Sequence, residues 1–148
     1  MSREGELMLI LLVEDDPAHA EIVRRNLKDF CVASRIIHVI DGQAALDYLF
    51  RQGAYADPAA SPRPHLTLLD LRLPKVDGLE VLRRIKEEEG LKKMPVIVLS
   101  TSAVESDVAK AYALGAGGYL VKPVDFEKFS SLMKAFCSYW LAWNRLPH

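Results

Sequence analysis

The stretch LMLILLVEDDP, residues 7–17, carries two structural instructions in succession. Seven apolar residues, Leu7 to Val13, run without a polar interruption and stop at three acids, Glu14, Asp15 and Asp16. A run of that length suits a strand buried on both faces, as at the centre of a parallel sheet. It is too short to cross a bilayer, and no signal-peptide cleavage pattern follows it. Asp16 before Pro17 reads as a helix N-cap with proline at the first helical position. A strand that feeds directly into a helix begins a parallel crossover unit.

The same unit recurs along the chain. Further strand-length apolar runs are Ile36–Ile40, Leu66–Leu69, Val96–Leu99 and Gly118–Val121, each bounded by charges or turn formers. Segments with helical spacing lie between them, marked by Ile22, Val23, Leu27 and Phe30, then by Ala45, Leu46, Leu49 and Phe50. Leu79, Leu82 and Ile85 mark a third, and Val104, Val108, Ala111 and Tyr112 a fourth. Phe126, Phe129, Leu132, Met133 and Phe136 mark a last helix, and the spacing of Phe126, Phe129, Met133 and Phe136 predicts a core face. Asp41-Gly42 and Asp125 supply start signals for the second and fifth helices. Five strands alternating with five helices imply an α/β fold with a parallel sheet covered on both faces. The exception is residues 53–64, where Pro58, Pro62 and Pro64 predict an exposed loop.

The 148 residues predict a single domain, 1–148, with a core over about 7–138 and an aromatic extension over 139–148. Nineteen basic and twenty acidic side chains give a formal charge of −1, so no basic field favours nucleic acid or an anionic membrane. Cys31 and Cys137 form no metal-binding spacing; reduced, buried thiols in a cytoplasmic protein are the expectation. His19, His38, His65 and His148 are scattered and receive no role.

In an open parallel sheet the site forms beyond the carboxyl ends of the strands. The first strand ends at Glu14 and Asp15, the third at Asp70, the fourth at Ser100 and the fifth at Lys122. Three carboxylates, a hydroxyl and an ammonium therefore meet at one edge. Carboxylates so close repel one another, and a divalent cation relieves that repulsion. All-oxygen ligation with retained water suits magnesium. Asp15 and Asp70 can ligate directly, a backbone carbonyl beyond Asp70 can add a contact, and Glu14 can act through water. Lys122 suits a phosphoryl oxygen or Asp70 itself, and Ser100 can donate to the same oxygens. This set fits phosphoryl transfer with a carboxylate nucleophile. Taken singly, Glu14-Asp15-Asp16 is an acidic turn with a cap, and Asp70 a turn residue; their joint placement at successive strand ends carries the functional reading.

The motifs LILLVEDD at 9–16, LTLLDLRLPKVDG at 66–78, VIVLSTSA at 96–103 and GGYLVKP at 117–123, in that order, resemble the response-regulator receiver domains of two-component signalling. The resemblance covers nearly the whole chain. It implies a flavodoxin-like (βα)5 three-layer sandwich with sheet order 2-1-3-4-5. It also implies a stand-alone response regulator acting in a phosphorelay, not a turnover enzyme. By position, Asp70 is then the phosphoacceptor, Glu14 and Asp15 the acidic pair with Asp15 a direct magnesium ligand, and Arg72 the donor of a backbone carbonyl to the metal. Ser100 matches the switch hydroxyl, Tyr119 the switch aromatic and Lys122 the phosphoryl-contacting lysine. A cis peptide between Lys122 and Pro123 is implied as well. Serine at 100 and arginine at 72 are variants; Arg72 stands where it can shield or order the entrance. The segment QGAYADPAASPRPHLTLLDLRLPKVDG, with EVLRRIK and the aromatic Tyr139-Trp140-Leu141, is similar to regulators serving phytochromes. A sensor histidine kinase, of phytochrome type, is the partner this implies.

Two expectations concern switching and assembly. Strand alternation puts Tyr119 on the opposite face from Lys122, where a phosphorylation-drawn Ser100 would free room for its ring. Tyr139, Trp140, Leu141 and Trp143 extend past what one sheet covers, predicting a homodimer through the fourth helix, fifth strand and fifth helix. Two other classes fare worse. A phosphohydrolase with an aspartyl intermediate needs a second acid/base carboxylate after its nucleophile and a cap, but Leu71-Arg72 follow Asp70 and no cap-length insertion exists. An interaction module that had lost phosphorylation would not need Glu14, Asp15, Asp70, Ser100 and Lys122 together. Neither a P-loop nor a dinucleotide fingerprint is present.

Overall fold

A computed structural model describes residues 8–30 and 34–144. The apolar runs form β1 (Met8–Val13), β2 (Ser34–Val39), β3 (Leu66–Leu69), β4 (Val96–Ser100) and β5 (Gly118–Val121). Between and after them lie α1 (Pro17–Phe30), α2 (Gly42–Phe50), α3 (Gly78–Glu87), α4 (Glu105–Ala113) and α5 (Phe126–Phe136). The last helix widens into π-helical turns over Cys137–Trp143. The strands form one parallel sheet in the order β2-β1-β3-β4-β5, which is the expected arrangement.

Strand alternation divides the core into two layers. Leu11, Val13, Leu69, Val96 and Val98 face α2, α3 and α4. Ile10, Leu12, Leu66, Leu68, Ile97 and Leu99 face α1 and α5. Because both faces are covered, adjacent residues along β1 and along Val96–Leu99 of β4 are apolar, and the period of two is invisible in their sequence. The expected caps are in place. Asp16 Oδ1 accepts from Ala18 N at 2.9 Å, Asp41 from Ala44 N at 2.7 Å, and Asp125 from Glu127 N at 2.8 Å.

Residues 53–64 form two short 3₁₀ turns, Gly53–Tyr55 and Pro58–Ala60, that are largely exposed. Their far end is tied down: the buried Tyr48 donates its hydroxyl to the Pro62 carbonyl at 2.6 Å.

Three expectations need correction. Phe129, Met133 and Phe136 are core residues, but Phe126 is 59% exposed, because the first residue of α5 precedes the part that lies on the sheet. Cys137 is buried and disulfide-bonded rather than reduced; Cys31 lies outside the described residues. No cis peptide occurs among the described residues, so the Lys122–Pro123 bond is trans, the isomer that X–Pro bonds intrinsically favour.

Candidate functional site

The backbone brings the strand tips together before any side chain acts. Asp70 N donates to Val13 O and Glu14 N to Val39 O, both at 3.1 Å, and Lys122 N donates to Ser100 O at 2.7 Å. Glu14, Asp70, Ser100 and Lys122 are all buried, while Asp15 is exposed at the mouth. Ligand oxygens of Glu14, Asp15 and Asp70 all lie within 4.8 Å of one another. The carboxylates expected to share a cation thus face each other, and their hard oxygen donors fit a divalent ion.

Both oxygens of Asp70 are engaged. Oδ1 accepts from Arg72 N at 3.3 Å, and Oδ2 faces Lys122 Nζ at 3.3 Å. Lys122 Nζ also pairs with Glu14 Oε1. Burial pushes the Glu14 carboxyl up to about 7, opposed by the hydrogen bond and charge of Lys122 and reinforced by the nearby Asp70. Water would normally stabilise the Glu14 anion, and at this depth Lys122 alone does not replace it.

A close approach of backbones seats the Asp70 loop. Gly78 N donates to Leu71 O at 3.0 Å, and a Cβ on Gly78 would lie 2.3 Å from the Asp70 carbonyl oxygen. Only a glycine lets α3 begin this near the acceptor loop.

Contacts that the sequence reading did not foresee extend the site toward α4. Arg72 does not hang over the entrance alone: its guanidinium meets Asp107 Oδ2 at 2.6 Å, in the first turn of α4. Ser102 Oγ donates to the same carboxylate oxygen at 2.6 Å. Ser102 N donates to Ser100 Oγ at 3.2 Å, and Tyr119 donates its hydroxyl to Ser102 O at 2.8 Å. The ring of Tyr119 packs with the α2–α3–α4 layer, so Ser102 links the expected switch pair. Asp107 gave no signal of its own, since an acid in a first helical turn is ordinary. His19, which received no role, lies with Nδ1 3.1 Å from Lys122 Nζ.

The expected interface residues part company. Tyr139 is 57% exposed. Trp140 and Leu141 are half-buried against the α1–α5 layer, and the Trp140 ring covers the start of β5 closely enough that a Cβ on Gly117 would touch it at 3.5 Å. The side chain of Trp143 lies outside the described residues.

This sheet order, with an acidic cluster and a lysine gathered at the carboxyl edge, defines a phosphoacceptor domain of signalling proteins. The chain belongs to the response regulator receiver domain family, whose pattern matches residues 10–134. Among its relatives is the response regulator Rcp1 of Synechocystis sp. (strain ATCC 27184 / PCC 6803 / Kazusa), 42% identical over 139 residues that cover 94% of this chain and 92% of that one. The probable methanogenesis regulatory protein FilR2 of Methanothrix harundinacea (strain 6Ac) is 44% identical, covering 94% of this chain and 87% of the relative. The crystal structure of Mn(2+)-bound Rcp1 superposes with a TM-score of 0.90 at 42% identity, covering 95% of this chain and 99% of that one. That of the phosphorylated cyanobacterial phytochrome response regulator RcpA does so with 0.90 at 38% identity, covering 96% and 99%.

Proposed function

We propose that this receiver domain accepts a phosphoryl group on Asp70 from the phosphohistidine of a sensor histidine kinase, with magnesium bound by Asp15, Asp70 and the Arg72 carbonyl and by Glu14 through water. The carrying observation is the meeting of three carboxylates within 4.8 Å beside the Lys122 ammonium. In the transfer, an Asp70 oxygen forms a bond to phosphorus as the phosphorus–nitrogen bond of the donor breaks. The departing imidazole keeps the electron pair. Magnesium supplies neutralisation of charge on the transferring oxygens. Lys122 holds a fixed positive charge against Asp70, and Ser100 offers a hydroxyl from the neighbouring strand tip. RcpA is known phosphorylated and Rcp1 with manganese; the same two states are what this reading requires here.

The switch runs from Ser100 through Ser102 to Tyr119 and, by Asp107, to α4. The output is a change of protein partner, with no turnover of an external substrate, in the cytoplasm alongside a phytochrome-type kinase. A homodimer through α4, β5 and α5 uses exposed Tyr112, Val121 and Tyr139. No helix among the described residues is long and apolar enough to cross a membrane.

Incubation with acetyl phosphate and magnesium, followed by intact mass measurement, tests the assignment. Wild type gains one phosphoryl mass, Asp70→Asn gains none, and chelation of the metal prevents the gain. An unchanged wild-type mass, or an equal gain in Asp70→Asn, overturns it.

A further inference from the structure

Lys122 is buried, and a charged lysine has three N–H donors and no acceptor. Three acceptors surround its Nζ: the Glu14 carboxylate, Asp70 Oδ2 at 3.3 Å and His19 Nδ1 at 3.1 Å. They come from the end of β1, the end of β3 and the first turn of α1, so the ammonium is held from three directions. Two of them are carboxylates that the metal also needs. The third belongs to a neutral imidazole, which can accept at Nδ1 only if its proton sits on Nε2.

The His19 ring is itself fixed. It packs against Phe129 of α5 with ring centroids 5.9 Å apart, while Asp16 Oδ2, 3.7 Å from Nδ1, lies beyond hydrogen-bond distance and leaves that nitrogen to Lys122. Its side chain is 30% exposed, so it stands at the rim of the pocket and not in the core.

We propose that His19 is a positioning residue for the phosphoryl transfer, acting through Lys122. Without the imidazole acceptor, Nζ is held only by the two carboxyl groups, and it leans toward Glu14 and away from the place where it must meet a phosphoryl oxygen. Displacements on this scale slow a positioned reaction by an order of magnitude or more. The inference rests on the phosphoacceptor reading of Asp70.

Four variants separate positioning from packing. Asparagine places its side-chain oxygen where Nδ1 sits, glutamine places it one bond further out, phenylalanine keeps the ring contact with Phe129 without an acceptor, and alanine removes both. With acetyl phosphate and saturating magnesium, the plateau rate of phosphorylation is expected to fall about tenfold in His19→Ala, His19→Phe and His19→Gln. It is expected to return to within about twofold of wild type in His19→Asn, with half-saturation by acetyl phosphate unchanged. A second readout needs no phosphorylation. In ¹⁵N-histidine-labelled protein, His19 should show the Nε2–H tautomer in wild type and a mixture in Lys122→Met. A wild-type rate in His19→Ala, His19→Asn as slow as His19→Ala, or a predominant Nδ1–H tautomer would each overturn the proposal. Failure of wild type to gain phosphoryl mass counts against the Asp70 assignment instead, and the tautomer still decides the His19–Lys122 contact.

Discussion

At the scale of single residues, Glu14 shows how one position serves two states. Without metal its carboxyl titrates near 7 instead of 4.5 because burial disfavours the anion. A folded-state value above the unfolded one means that the group's contribution to stability is full below about pH 4.5 and is lost as pH rises through about 7. The metal-free protein should therefore lose thermal stability between pH 5 and 7.5, and Glu14→Gln should flatten that slope. A divalent cation needs the anion, so the two trends have opposite signs. Magnesium affinity, measured by titration calorimetry, should rise up to about tenfold per pH unit below 7 and level off above it. An affinity independent of pH from 5.5 to 8 would remove Glu14 from the metal site.

At the scale of elements, the start of α3 sets where Asp70 sits. The Asp77 cap and Gly78 begin the helix against the backbone of Asp70 and Leu71. Gly78→Ala forces a methyl group into that backbone, and overpacking of this kind costs about 1–3 kcal/mol. The denaturant midpoint should fall with an unchanged slope. The start of α5 makes a milder comparison. Asp125 accepts from Glu127 N and Lys128 N, so Asp125→Ala should cost about 1 kcal/mol and leave phosphorylation by acetyl phosphate intact. Much at this scale is legible in the sequence. Asp16-Pro17, Asp41-Gly42 and Asp125 announce helices by local chemistry alone. The ends of β3 and β5 also follow directly from where the apolar runs stop. Phe126 misleads because helical spacing marks a face without saying where along the helix the sheet ends.

At the scale of the whole molecule, two apolar layers clamp a sheet whose carboxyl edge is polar. Leu68 is fully buried in the α1–α5 layer, beside the β3 tip that carries Asp70. Leu68→Ala should cost about 2–5 kcal/mol, read by chemical denaturation. Assembly is tested on Tyr139, not Trp140, because Trp140 covers β5 of its own chain and its loss would confound stability with association. Sedimentation of wild type and Tyr139→Ala should show a dimer weakened in the variant; a wild type that stays monomeric at tens of micromolar would exclude this interface.

Periodicity, run length and capping residues are local properties, and they were enough to read the five βα units, the parallel sheet and the set Glu14, Asp15, Asp70, Ser100 and Lys122 from the amino acids alone. What the chain does not spell out is any pairing between elements distant in sequence. Arg72 with Asp107, Ser102 between Ser100 and Tyr119, and His19 on Lys122 arise only when α1, α4 and β5 close around the strand tips. Each of those side chains is chemically ordinary where it stands in the sequence. Its role comes from which neighbour folding brings within hydrogen-bond distance, and that is decided in three dimensions.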